Sequence, residues 1–296
     1  MIRIAHIVNP VQVKATSDLF VAQPVSFEAM RRARAFAAGQ VDVRLLTAQY
    51  PEDHPVVPQD FEATPDLERS ILDLGTWQVP RKLPLLRDIL GRMAEAAPDA
   101  DLYVYTNVDI APMPAFYLAI ARRYEQGLDA FVINRRTIEA TPSDVADLPL
   151  MMAQAGQRHP GHDCFVFARA AWPQYVLGDV CIGINWVGRA LILNLSAVAG
   201  NFREFKHDHL TFHLGDDQVW RSDRFADYVE HNRRETIRTL EGLETRLGPM
   251  ATRPAVVPYL SGLPGDPRPP RTLALGKRLR GALRGVLGTD KSDRSA

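Results

Sequence analysis

Continuous apolar runs, more than alternating ones, organise the first half of this chain. IRIAHIVNP opens it, and an unbroken apolar run closed by Pro10 predicts a buried strand feeding a loop. FEAMRRARAFAA then sets apolar residues at helical spacing, with Ser26 and Glu28 as cap candidates near its start. VDVRLLT predicts the next strand, and this β-loop-α-β opening is how a doubly wound sheet usually begins. Residues 51–66 are rich in Pro, Asp and Glu and predict a surface loop. KLPLLRDILGRMAEAA is an amphipathic helix leading into DLYVYTNVDI, followed by a helix at AFYLAIARRYEQG and a strand at DAFVIN. Residues 135–162 are polar and predict a mobile loop with a helix at 144–155. CFVFA and LTFHL are further strands, AWPQYVLG a short helix broken near Pro173, and INWVGRALILNLSAVA a mostly buried helix. Asp216 or Asp217 is expected to cap a polar helix reaching about residue 247. The pattern changes after Gly248. PAVVPYLSGLPGDPRPPR predicts a linker, and TLALGKRLRGALRGVLG places Leu275, Leu279, Leu283 and Val286 on one face among Lys277, Arg278, Arg280 and Arg284. The expected division is one body over 1–247, then a linker and basic tail over 248–296.

Three segments carry candidate chemistry. DLYVYTNVDI runs into Asn107 and Asp109 before Pro112 and Pro114 stop it. Carboxyl ends of strands in an open α/β sheet project into the ligand crevice, so a carboxylate and an amide there can meet a hydrated metal and a phosphate or ribose. Turn chemistry, with both side chains bonding nearby backbone, is the plain alternative. LTFHLGDDQVW places His213 after a short apolar run, with Gly215, Asp216, Asp217 and Trp220 behind it. HPGHDCFVFAR sets Asp163 in a Gly-x-Asp loop ahead of a strand, where a carboxylate can bind or deprotonate a hydroxyl.

Together these segments resemble the nucleotide-sugar glycosyltransferases of the A-type fold, over roughly residues 1–220 as an order of elements. TNVDI looks like a variant of that family's Asp-x-Asp, and His213 with Gly215 and Trp220 is similar to its His-x-x-Gly…Trp signature. The resemblance implies an α/β fold: a single Rossmann-like A-type domain with a mixed, mostly parallel central sheet flanked by helices. It implies transfer of a sugar from a nucleotide diphosphate donor to a hydroxyl on a glycan or lipid-linked acceptor. Asp109 and His213 would share one Mn²⁺ or Mg²⁺, and Asn107 would contact ribose or orient a ligand. Asn9, at the end of the first strand, would face the nucleotide base and ribose. Asp163 would serve as base or acceptor anchor, a part His162 fills less well, and Asp217 is the other candidate base. The signature's diphosphate lysine is absent, so Arg81, Lys82 and Arg135, with Arg136 beside it, become the candidate clamps. Trp186 and Trp220 could stack on sugar faces or pack in the core.

Composition narrows the remaining classes. Hydrophobic residues at 46% and charged residues at 24% are ordinary globular values. Net charge is zero, which gives no case for nucleic acid, since phosphate neutralisation needs a clustered basic excess. The mean hides a basic tail: residues 266–296 hold eight Lys/Arg and three Asp/Glu. Residues 272–288 therefore suit either disorder or a peripheral contact with an anionic membrane surface. Cys164 and Cys181 are too few to staple a secreted fold, and no leader-like or membrane-spanning run stands out, so a cytoplasmic chain is expected. Two other functions stay open. One is a catalytically silent sugar-nucleotide or glycan-binding module; the other is a metal-dependent phosphoester hydrolase using Asp109, His213 and Asp216 or Asp217.

Overall fold

The computed structural model describes residues 1–215 and 223–268. In chain order the strands and helices are β1 Ile2–Val8, α1 Leu19–Phe36, β2 Val41–Thr47, β3 Glu62–Ala63, α2 Leu86–Ala96, β4 Leu102–Thr106, β5 Ala111–Pro112 and α3 Phe116–Glu125. They continue with β6 Ala130–Ile138, α4 Leu148–Ala153, β7 Gln157–Ala168, α5 Val187–Val198, β8 Phe202–Phe205, β9 Thr211–Leu214 and α6 Ala226–Leu247. The sheet order is β3-β2-β1-β4-β7-β6-β9-β5, with β8 also paired to β6. Strands β1–β4 run parallel, as do β8 and β9 against β6. β7 runs antiparallel to both its neighbours, and β5 antiparallel to β9. This is the expected α/β class: a mixed, mostly parallel sheet flanked by helices.

Burial on both faces explains the continuous apolar runs, because the central strands have no solvent side to alternate against. α1 and α3 cover one face through Phe27, Met30, Phe116 and Ile120, while α2 and α5 cover the other through Leu86, Ile89, Leu191 and Leu195. His6 sits wholly within this core, its ring bonded to the Tyr117 hydroxyl at 2.8 Å and to Thr106 Oγ1 at 3.0 Å. Burial drives its pKa down to about 3, so the ring is neutral.

Several elements differ from the sequence reading. α1 begins before Pro24 rather than after it, so Ser26 and Glu28 lie inside the helix. The proline ring displaces only the bond to the Phe20 carbonyl, near the exposed N-terminal end. The region over 135–162 is strand at both ends, because β6 carries its polar residues out to Ile138 and β7 starts at Gln157. β8 is a strand that the sequence pattern does not mark, and α6 starts at Ala226, well after Asp216 and Asp217. Residues 249–263, expected as linker, bury Met250, Val256, Tyr259, Leu260 and Leu263 in the same core as α5. Arg189 fastens this segment by donating to the Tyr259 and Ser261 carbonyls at 2.8 and 3.0 Å. Asp216, Asp217, Trp220 and the tail over 272–288 lie outside the described residues. Among those described, no helix is long and apolar enough to cross a membrane.

Two local features shape the strand ends near Asn107 and His213. β8 pairs with β6 over Ala130–Ile133, and β9 takes the same edge over Arg136–Ile138, leaving Asn134 and Arg135 between them. On the other edge, Phe165 lies opposite Val132 but His162 lies opposite Asn134, so β7 carries an extra residue there. Such bulges re-aim side chains.

Candidate active site

The short β5–β9 pairing explains how residues far apart in sequence meet. Ala111 opposite Phe212 brings the turn after β4 against the residue following Phe212. Asp109 Oδ2 and His213 Nε2 are 3.2 Å apart as a result. Gly215, at φ +69, turns the chain so that its carbonyl accepts from His213 Nδ1 at 2.8 Å. Asp109 retains 24% of its side-chain exposure and His213 9%. Burial alone would raise the Asp109 pKa, but the hydrogen bond and charge of His213, with Arg135 behind them, hold it below the usual carboxylate value. For His213, burial works downward and the Asp109 bond and charge upward, with a net rise. The two shifts agree on an ion pair.

Asp163 stands in a different set of contacts. Its Oδ1 accepts from Asn107 Nδ2 at 3.3 Å, and Asn107 Oδ1 accepts from the Tyr105 hydroxyl at 3.2 Å. Burial, then the charges of Asp109 and Asp163, keep the Tyr105 phenol protonated and able to donate. Arg135 Nε lies 3.4 Å from Asp163 Oδ2, and Arg135 Nη2 lies 3.3 Å from His159 Nε2. His159 Nδ1 accepts from the Gly161 amide at 3.0 Å, and a Cβ at Gly161 would fall 2.6 Å from the His159 ring. That close approach is why the loop needs glycine. Buried oxygens without a hydrogen-bond partner among the described residues gather here: Asp109 Oδ1, Asn134 Oδ1, Thr137 Oγ1 and Asp163 Oδ2. Orphans of this kind are rare in folded chains and cluster where ligands bind.

Other candidates have different surroundings. The Asn9 side chain is buried and donates to the Ala48 carbonyl at 2.5 Å, tying the end of β1 to that of β2. The Arg81 guanidinium lies 4.8 Å over the Phe225 ring, and Lys82 pairs with Glu52 at 2.5 Å over Tyr50. Arg136 spends its guanidinium on the Ala155 and Gly156 carbonyls across the β6–β7 hairpin. Trp186 holds a left-handed conformation, φ 79, just before α5. Asp109, His213, Asn107, Asp163 and Arg135 are thus brought to one set of strand ends, whereas Asn9, Arg81 and Lys82 have partners of their own. Sequence reasoning missed His159 and Tyr105; the i, i+4 spacing of His159 and Asp163 was the available sign.

Among the described residues, no group of three or more His, Cys, Asp or Glu side chains is placed to hold a metal. No known family model and no curated protein sequence matches the chain. Solved structures resemble it in the course of the backbone. S. aureus TarS residues 1–349, in complex with UDP-GlcNAc, is 7% identical at a TM-score of 0.44, over 88% of this chain and 80% of that one. M. tuberculosis glucosyl-3-phosphoglycerate synthase is 13% identical at a TM-score of 0.44, over 83% and 80%. The α/β architecture, with its mixed and mostly parallel sheet flanked by helices, is that expected of the A-type nucleotide-diphospho-sugar transferase fold.

Proposed function

We propose that this chain is a glycosyltransferase that moves a sugar from a nucleotide diphosphate donor to a hydroxyl acceptor, assisted by Mn²⁺ or Mg²⁺. The observation that supports it most is the convergence of Asp109 and His213 at the carboxyl end of β4, beside the Asp163–Arg135 pair. The donor set suits a divalent ion. In the neutral imidazole, Nδ1–H donates to the Gly215 carbonyl, which leaves the Nε2 lone pair facing Asp109, and backbone anchoring of this sort is usual behind ligating histidines. Asp109 adds a hard carboxylate whose Oδ1 has no hydrogen-bond partner among the described residues, and phosphate oxygens and water would complete the shell. When bound, the ion would supply charge stabilisation for the departing diphosphate.

The remaining roles follow from charge and position. Arg135, 11% exposed and paired with Asp163, is the proposed diphosphate clamp in place of the missing lysine. Asp163, already engaged by Arg135 and Asn107, is better suited to anchor an acceptor hydroxyl than to accept a proton from it. Asn107 stays a ribose contact or a support for Asp163. The partners proposed are a nucleotide-sugar donor and a glycan or lipid-linked acceptor.

A thermal-shift screen of nucleotide sugars with and without Mn²⁺ tests the reading. Saturation at a hundred times Kd stabilises the native state by about 2.7 kcal/mol, a rise of several degrees. A rise that needs both donor and Mn²⁺ is expected; no shift with any donor overturns the proposal.

A further inference from the structure

His162 has hydrogen-bond partners of its own, separate from those of Asp109 and Asp163. The β7 bulge sends Asp163 toward Asn107 and Arg135, while His162 reaches over β6 to Glu204 on β8, with Nε2 and Oε1 at 3.1 Å. The other Glu204 oxygen accepts from the Tyr259 hydroxyl at 2.8 Å and lies 3.2 Å from Lys206 Nζ. The Tyr259 ring also meets the imidazole edge-on, with centroids 5.8 Å apart. Gly188, in the first turn of α5, lets that helix approach: a Cβ there would fall 2.8 Å from the His162 carbonyl. Burial pushes the Glu204 pKa up, but the bonds from His162 and Tyr259, the imidazole's charge and the Lys206 bond bring it down to about 2.

The tautomer follows from the partners. A carboxylate only accepts, so in the neutral ring His162 Nε2 must carry the proton and Nδ1 must hold the lone pair. Nδ1 has no partner among the described residues, and the side chain keeps 18% exposure. A base oriented on one nitrogen by a carboxylate and open on the other is the arrangement that takes a proton from a hydroxyl. Asp163, one residue on, is tied up in its ion pair.

From this geometry we infer that His162, oriented by Glu204 and Tyr259, is the base that accepts the acceptor hydroxyl proton in the proposed sugar transfer, the reading on which this inference rests. The hydroxyl proton passes to Nδ1, and the oxygen's electron pair forms the bond to the anomeric carbon of the donor. The bond from that carbon to the diphosphate oxygen breaks and its electrons leave with the nucleoside diphosphate. The imidazolium is stabilised by Glu204 until it returns the proton to water. The charged and titratable groups around the ring are Glu204 and Lys206 at and beyond β8, Tyr259 from the C-terminal segment, and Asp163, with Arg135 behind it, at the next position.

Two measurements on the full chain test the inference. In ¹⁵N-imidazole NMR, with the His162 signal identified by its loss in His162→Gln, Nε2–H with unprotonated Nδ1 is expected; a proton on Nδ1 overturns it. In acceptor-dependent release of nucleoside diphosphate, His162→Gln should lower kcat by about 10²–10⁴ with donor KM unchanged. Tyr259→Phe, which keeps the buried ring, should lower kcat by less and shift its pH profile, a change that loss of packing alone would not produce. Unchanged kcat in His162→Gln defeats the base role and leaves the glycosyltransferase reading standing. A wild-type chain that turns over no donor defeats both.

Discussion

The two carboxylates at the strand ends invite comparison, because similar burial has given them different electrostatic partners. Asp109 faces an imidazole, whose charge can be withdrawn by pH or replaced by a metal; Asp163 faces a guanidinium, whose charge is permanent. The partner of one carboxylate is therefore adjustable and that of the other fixed. The proposed transfer, in which a charged diphosphate leaves while an acceptor is held still, would have use for both.

The largest effect expected from breaking this contrast is at Asp109. Asp109→Ala should abolish the Mn²⁺-dependent part of nucleotide-sugar affinity in titration calorimetry while circular dichroism stays that of the wild type. Unaltered Mn²⁺ dependence would remove Asp109 from the metal site. Asp163→Asn comes next: it keeps the side chain's shape but removes the carboxylate charge that faces Arg135. Acceptor KM should rise about tenfold or more, as charge-assisted bonds of about 1.5–3 kcal/mol are lost, while donor affinity holds or tightens. A loss of donor affinity would place Asp163 on the donor side instead.

The pH response sharpens the comparison further. Asp109 is depressed, so its contribution to stability is present above its unfolded value of about 3.9 and lost as pH falls through the lower folded one. His213 is raised, so its contribution is present below about 6.5 and lost as pH rises through the higher folded value. The pair should stabilise most between about pH 4 and 6.5. Comparing Tm of wild type and His213→Gln across that range should show the gap closing above it. Mn²⁺ affinity should run the opposite way and climb as His213 loses its proton. The smallest effect is at Glu204, where Tyr259→Phe removes one of several donors to a buried carboxylate and should cost about 1–3 kcal/mol in denaturant unfolding.

Legibility in the sequence followed burial. β1, β2, β4 and the apolar half of β7 were readable because both faces are covered and the code is a plain apolar run. The second half of β6, NRRTI, was not, because its polar, partly exposed residues mimic a loop. Residues 249–263 mislead for a related reason: Pro249, Pro254, Pro258 and Gly262 break up any periodic pattern, yet five spaced apolar residues do the packing. Asp109 and His213 were found together because both sit at strand ends, a local property. His162, Glu204 and Tyr259 meet only through register across β6 and the fold-back of the C-terminal segment, which no local pattern encodes.

The division of the β6 edge between β8 and β9 has a consequence for how the site breathes. His213 rides on β9, a four-residue strand near the rim whose outer neighbour, β5, has two residues. Asp109 follows β4, held between β1 and β7. Few backbone bonds secure the first and many the second, so sub-global opening should free the β5–β9 flap long before the central strands yield. Amide hydrogen exchange should find β9 fast and β4 slow in the free protein, and donor with Mn²⁺ should slow β9 most. Ligand capture would then be the event that welds a loose rim to a solid centre.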